Sequence, residues 1–318
     1  MSDPAPLVSI PEAPVPPRAA AHWLTAGDGV RLRCALFPTD ESPRGSVVLS
    51  PGRTEPIEKY YEVVRELNAR RFTVLVHDWR GQGLSQRLVV ADRMKGHASG
   101  WRPFLSDYRL MLERFRDRLP GPRIAFGHSM GGGLTLLAMT EDGHHDFSGV
   151  MLSAPMTGIR IDGFNPTFAA LTVGLLNRIG LARTYALGPQ DPFNEAFEDN
   201  GLTHDAHRWS LHRRQIETER ALALGGVTWG WVGFALELSA RLKSSRTLDT
   251  LPIPLSVVAA GEERLVCNLT TQSLARRAPK GRYIEVPGAF HEVLMETDAH
   301  RAQVWAEFDR LAAEVAPA

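Results

Sequence analysis

Along the first half of the chain the apolar residues change their spacing in a regular way. Val30-Arg31-Leu32-Arg33-Cys34-Ala35-Leu36-Phe37 alternates with period two, which predicts an outer strand with one wet face. Ser46–Ser50 and Phe72–Val76 are instead short, almost wholly apolar runs, as in strands buried on both faces. Between them Ile57, Tyr60, Tyr61, Val64 and Leu67 recur at helical spacing. The alternation continues with a helix from about Pro103 to Leu119, a strand Arg123–Phe126, a helix through Leu134–Met139 and a strand Gly149–Ser153. Strands alternating with helices predict a parallel sheet with helices on both faces.

The rhythm breaks at Pro155. From there to about Thr228 no buried strand is evident. Phe164 to Leu181 is strongly apolar, and a polar stretch with Asp191, Glu195, Glu198, Asp199 and Asp205 follows. The Trp-rich run Trp229–Phe234 then leads into a helix ending near Leu242. The earlier rhythm resumes with a strand Leu255–Ala260, a helix near Leu269–Arg277, a strand Tyr283–Val286 and a last helix from about Thr297 to Ala313. Residues 22–154 and 236–318 thus read as an α/β core and residues 155–235 as a helical cap over the strands' carboxyl ends. Those ends are where ligands bind in open α/β sheets. Residues 1–21, rich in Pro and Ala, read as a flexible or extended arm and not as a signal peptide.

Composition narrows the choices further. Lys plus Arg and Asp plus Glu number 36 each, so no basic field exists to hold nucleic acid. Cys34 and Cys267 are too few for a disulfide framework or a thiolate metal site, and Cys34 reads as a buried thiol. No run of apolar residues is long enough to span a membrane.

Chemistry enters at Gly127-His128-Ser129-Met130-Gly131, a G-x-S-x-G sequence between the Arg123–Phe126 strand and the Leu134–Met139 helix. Chance supplies this pentapeptide in about one chain of this size in ten, so its setting matters more than its letters. Strand, sharp turn and helix are the setting of a nucleophile elbow, in which the serine sits at a strained apex. Serine is a weak nucleophile and needs a base, itself oriented by a carboxylate. His291, directly after the Tyr283–Val286 strand, is the natural base. The carboxylate is expected in Gly261-Glu262-Glu263-Arg264-Leu265-Val266, after the preceding strand. His144-His145 and His204 with His207 raise a metal site, but neither pair has an evident third ligand, and both read as polar surface loops.

Over residues 22–315 the chain resembles the lysophospholipase and monoacylglycerol lipase branch of the α/β hydrolases, most of all its bacterial lysophospholipase L2 members. The resemblance is carried by Pro51-Gly52-Arg53-Thr54-Glu55, His77-Asp78-Trp79-Arg80-Gly81-Gln82-Gly83-Leu84-Ser85, Gly127–Gly132 and His291-Glu292-Val293-Leu294-Met295-Glu296. It implies a mostly parallel eight-stranded sheet flanked by helices, with the cap inserted after the sixth strand. It implies Ser129 as nucleophile, His291 as base, and Glu263 where the family has Asp, with Glu262 as the competitor. One methylene longer, Glu263 follows a loop one residue shorter. The implied oxyanion donors are the N–H groups of Met130 and Arg53, with Pro51-Gly52 standing where the family has His-Gly. The Arg53 side chain would meet a phosphate or carboxylate of the substrate, or serve only the surface. Asp78–Gly83 reads as a structural turn, and Glu296 and Asp298 as supporting or helix-starting groups. Phe164, Phe168, Leu171, Trp229 and Trp231 read as walls of an acyl-chain pocket or as cap core. The expected activity is a cytoplasmic serine esterase on a lipid ester, without metal or cofactor, with peripheral membrane contact through the cap's apolar face compatible with it. An aminopeptidase using Glu195, Glu198 or Asp199 to hold a free amino group is the enzyme alternative, and a non-catalytic binding protein on the same scaffold is the other.

Overall fold

The computed structural model describes residues 3–144, 146–160 and 166–317. Eight strands form one sheet: β1 (Ala20–Thr25), β2 (Arg31–Phe37), β3 (Gly45–Ser50), β4 (Phe72–Asp78), β5 (Arg123–His128), β6 (Phe147–Ser153), β7 (Leu255–Ala260) and β8 (Gly281–Val286). Their spatial order is β1-β2-β4-β3-β5-β6-β7-β8. The β1/β2 and β2/β4 pairs are antiparallel, and every later pair is parallel.

The central strands are continuously apolar because each feeds two cores. Val48, Leu75, Ala125 and Val257 point to one face, where helices α2 (Arg102–Phe115), α3 (Ser129–Glu141) and α7 (Asn268–Arg277) pack. Val47, Leu49, Val74, Val76, Ile124, Phe126 and Val258 point to the other, against α1 (Tyr61–Ala69) and α8 (Asp298–Val315). Period two on a sheet covered on both sides therefore reads as an unbroken hydrophobic run.

Between β6 and β7 lie α4 (Pro166–Arg178), α5 (Ala206–Thr218) and α6 (Trp229–Ser244). Asp205 caps α5 by accepting the Arg208 N–H at 2.8 Å, and Thr228 caps α6 by accepting the Trp231 N–H at 3.3 Å. The carboxyl half of α6 leaves this segment and joins the main core through Phe234, Ala235, Leu238 and Leu242.

Of the two readings of the amino-terminal segment, a flexible or an extended arm, the structure has the extended one. The segment is pinned to the core. Trp23 and Ala5 N–H groups donate to Asp3 and Ala21 carbonyls at 2.8 and 2.9 Å, and Ile10 and Ala13 are buried. Val8 N–H and the Arg33 guanidinium both donate to buried Glu58, at 3.0 and 2.8 Å. Proline removes donors and fixes an extended backbone, so a Pro-rich segment can lie along a surface without forming a regular strand. The short strand β1 had no clear alternation in His22-Trp23-Leu24, because an edge strand buries only part of one face.

Candidate active site

Ser129 lies where β5 passes directly into α3. Its φ of +50° is left-handed, a conformation that a residue with a side chain keeps only when its surroundings enforce it. Two glycines allow the enforcing contacts. A Cβ on Gly131 would stand 2.2 Å from the Ser50 carbonyl oxygen, and one on Gly127 would stand 2.7 Å from the Gly132 Cα. Strand and helix therefore approach closely and leave Ser129 at the apex. Met130, in the first turn of α3, carries an N–H with no carbonyl acceptor inside the helix.

His291 occupies the loop after β8, and buried Glu296 shapes that loop. The two Glu296 oxygens accept the N–H groups of Phe290 and Thr297 at 2.8 and 3.0 Å. They also accept from Nδ1 of His204 at 2.8 Å and of His300 at 3.1 Å. Burial works to raise the Glu296 carboxyl, but these donors outweigh it and hold the group below its ordinary value.

His291 Nε2 is 2.8 Å from Ser129 Oγ, and His291 Nδ1 is 2.7 Å from Glu263 Oε2. The other Glu263 oxygen accepts the N–H groups of Leu265 and Val266 at 2.8 and 3.2 Å. Burial pushes the Glu263 carboxyl up, while the His291 hydrogen bond and charge and the two N–H groups pull it down, and the net shift is downward. An ionised carboxylate only accepts, so Nδ1 carries the imidazole proton and the Nε2 lone pair faces the serine hydroxyl. Arg160 donates to the Glu263 carbonyl at 2.9 Å and so fixes the loop from outside. Glu262, one residue earlier, is exposed, and its N–H donates to the Ala289 carbonyl at 2.9 Å.

The loop 51–55 runs beside this serine and is braced by side chains that the sequence reading assigned only to a turn. Trp79 Nε1 donates to the Pro51 carbonyl at 2.8 Å. Gln82 clasps both sides of Arg53: its Nε2 donates to the Gly52 carbonyl at 3.2 Å, and its Oε1 accepts the Thr54 N–H at 3.0 Å. The Gly52 N–H donates to Glu55 Oε2 at 2.5 Å. Glu55 in turn pairs with Lys59 at 2.9 Å and accepts from Tyr60 Oη at 2.6 Å, and Lys59 also pairs with Glu292 at 2.5 Å. Burial opposes ionisation of Glu55, but the Lys59 ammonium and the Tyr60 hydroxyl offset it and its carboxyl is lowered. Burial lowers His128 to about 4, so it stays neutral while donating Nδ1–H to the Ser153 carbonyl at 3.1 Å. Glu55 and Lys59 stand four residues apart, a pairing visible in the sequence and missed there.

Above Ser129 opens a cavity of about 1160 Å³, bounded by the loop 51–55, the His291 loop and the segment between β6 and β7. Met156, Val173, Trp229, Trp231 and Val266 give it apolar walls. Of the expected wall residues, Trp229, Trp231 and Phe168 line it, with Phe168 62% exposed. Leu171 does not. It is 69% exposed on the outer face of α4, aligned with Leu175 and Ile179, while Thr172 and Val173 turn inward. Phe164 lies outside the described residues. The Arg53 side chain also borders the cavity, donating Nη1–H to the Gly225 carbonyl at 2.8 Å with its guanidinium carbon 5.7 Å from the Trp231 ring centre. Burial lowers this guanidinium to about 10, so it is still charged at neutral pH.

His204, without an evident third ligand in the sequence, meets Glu296 and His300 in space. Their ligand atoms lie within 4.8 Å of one another, whereas His207 is exposed on α5. The Glu296 oxygens are already occupied by the backbone and imidazole donors described above. This cluster braces the His291 loop.

Known proteins resemble this chain over most of its length. The family model described as serine aminopeptidase, S33 matches residues 41–298. Lysophospholipase L2 of Escherichia coli is 32% identical over 294 residues, covering 87% of this chain and 83% of that protein. Monoacylglycerol lipase of Mycolicibacterium smegmatis is 26% identical over 280 residues, covering 87% and 91%. The fold matches a soluble variant of monoglyceride lipase from Saccharomyces cerevisiae with a TM-score of 0.75 at 18% identity, covering 98% of this chain and 99% of that one. With a mostly parallel eight-stranded sheet, flanking helices and a family match over most of its length, the chain belongs to the serine aminopeptidase S33 family of the α/β hydrolases.

Proposed function

We propose that the protein is a serine hydrolase that cleaves a carboxylic ester of a fatty acid, with Ser129, His291 and Glu263 as its catalytic triad. The observation that carries this reading is the continuous hydrogen-bonded chain Ser129–His291–Glu263 at the base of a large, apolar-walled cavity. Ser129 Oγ attacks the ester carbonyl while His291 Nε2 takes its proton. Glu263 holds the Nδ1–H tautomer and stabilises the imidazolium that forms. The carbonyl oxygen becomes an oxyanion and accepts hydrogen bonds from the Met130 and Arg53 N–H groups, one from the start of α3 and one from the braced loop. His291 then protonates the leaving alcohol. Water, deprotonated by the same imidazole, attacks the acyl-serine and releases the fatty acid.

Relatives named lysophospholipase and monoacylglycerol lipase support a lysophospholipid as the first substrate and a monoacylglycerol as the second. The exposed stripe Phe168, Leu171, Leu175 and Ile179 supports lipid delivery from a membrane surface that the protein touches from outside. Among the described residues no helix is long and apolar enough to cross a membrane. Aminopeptidase activity is the second reading, because Asp191 and Glu195 border the cavity and would pair with a free amino group. Turnover of p-nitrophenyl acyl esters against aminoacyl-naphthylamides separates the two, and turnover of the amides alone rejects the esterase.

A further inference from the structure

We infer that the Arg53 guanidinium is the receptor for the phosphate of the substrate's head group, which makes this residue the determinant of preference for phospholipid over neutral glycerolipid. The inference rests on the ester-hydrolase reading above and goes beyond it by naming the group that selects the alcohol side of the substrate.

Several cations border the cavity, and most are already neutralised. Lys59 is held by Glu55 and Glu292, Arg208 by Glu62, Asp205 and Asp298, and Arg213 by Glu217. Arg53 differs from these. Among the described residues no carboxylate lies within ion-pair distance of it, and its hydrogen bond is the single one from Nη1 to the Gly225 carbonyl. A guanidinium has five donors in a planar fork, so most of its capacity is unused. Withdrawing a charge from water without a counter-ion is unfavourable, and a cation kept so in a cavity wall is complementary to an anion that arrives with the ligand. Bidentate, charge-assisted bonding to phosphate suits this fork better than any other side chain.

The position on the loop agrees with the chemistry. The Arg53 N–H is the proposed oxyanion donor, so the reacting carbonyl sits against the backbone of the same residue that carries the guanidinium. In a lysophospholipid the ester carbonyl and the phosphorus are separated by the glycerol backbone, a span close to that of an extended arginine side chain. One residue can therefore meet both groups. Contact with the Trp231 face limits the side chain's rotation and keeps the fork near the cavity.

The test compares kcat/KM for a 1-acyl lysophosphatidylethanolamine and a monoacylglycerol of the same acyl chain, in the wild-type protein, Arg53→Gln and Arg53→Lys. The monoacylglycerol arm is the internal reference for any effect of the substitution on the loop. The ratio of the two specificity constants is expected to fall by ~10- to 100-fold in Arg53→Gln and to recover in part in Arg53→Lys. Equal losses on both substrates, or an unchanged ratio, overturn the inference. Binding of the same two lipids to Ser129→Ala and to Ser129→Ala/Arg53→Gln gives a reading that needs no turnover. Loss of lysophospholipid binding alone supports the phosphate receptor even where the wild type cleaves neither lipid, an outcome that would reject the esterase instead. Inorganic phosphate that inhibits monoacylglycerol turnover in the wild type but not in Arg53→Gln supports the same site for a free anion. Head-group discrimination without that inhibition assigns it to the tethered phosphate.

Discussion

Glu263 Oε2 lies 2.7 Å from His291 Nδ1, while the adjacent Glu262 is exposed to solvent. Two neighbouring glutamates of identical chemistry are thereby given different surroundings. One has its second oxygen filled by the Leu265 and Val266 N–H groups and cannot swing away, and the other faces water. Replacing Glu263 by Gln removes the charge opposite the imidazolium and allows the amide to favour the wrong tautomer. Ester turnover is expected to fall by roughly 10³- to 10⁴-fold. Glu262→Gln is expected to stay within about twofold of wild type, as for a surface change away from the chemistry. Steady-state assays of both variants check this, and the reverse pattern assigns the acid to Glu262.

Ser129→Ala and His291→Ala each break the hydrogen-bonded chain at its centre. Each is expected to reduce kcat by up to ~10⁶-fold, and the double variant to lose little more, because the groups act as a unit. Covalent labelling by a fluorophosphonate probe should disappear in both variants. Undiminished labelling of Ser129→Ala would mean that another nucleophile reacts.

Gln82 does not line the cavity, yet it holds the backbone on both sides of Arg53. Gln82→Ala should let the proposed oxyanion donor drift and reduce kcat on the order of 10- to 100-fold, less than the 10²–10³ that follows outright loss of a donor. KM should change little, since the ground-state carbonyl binds the loop weakly. A rise in KM at constant kcat would instead place Gln82 in substrate binding.

Acid stability follows from buried histidine. Burial lowers His77 to about 3, while its Nε2 meets Ser50 Oγ at 3.2 Å. Its unfolded-state value is near 6.5, so between pH 6.5 and 3 the unfolded chain binds a proton that the folded one refuses. Stability therefore falls on acidification, by about 1.4 kcal/mol per pH unit for such a group. Denaturant midpoints at pH 7 and pH 5 should differ less in His77→Gln than in the wild type. An equal drop in both proteins would trace the acid sensitivity to other groups.

The outward stripe on α4 gives a membrane prediction. Leu171→Ser, Leu175→Ser and Ile179→Ser together remove most of its exposed apolar side chains, and each full burial of such a side chain is worth about 1.5–3 kcal/mol. Partition onto vesicles of phosphatidylethanolamine and phosphatidylglycerol should fall at least tenfold, with turnover of a water-soluble short-chain ester retained. Unchanged partition would separate this stripe from the lipid surface.

Much of the fold could be read from the chain because the central strands feed two cores, and so Val47–Leu49 or Val74–Val76 announce themselves as apolar runs. The serine elbow was legible for the same local reason: its glycines, strand and helix are contiguous. Edge strand β1 and the pinned segment before it were not, since their burial depends on partners such as Glu58 and Tyr61 far along the chain. Side chains that act across long separations were also hidden. Gln82 reaches the loop 51–55, and Lys59 reaches Glu292, only after the sheet has brought them together. The apolar character of Phe164–Leu181 was evident, but not which of its side chains turn inward, and Leu171, read as pocket wall or cap core, is exposed instead.

The most direct test of the account is kcat/KM for a fatty-acyl ester and for an aminoacyl-naphthylamide, measured on the wild type with Ser129→Ala as control. The expected result is turnover of the ester by the wild type, little or none of the amide, and loss of ester turnover in Ser129→Ala. Turnover of the amide alone, or ester cleavage that survives Ser129→Ala, would contradict it.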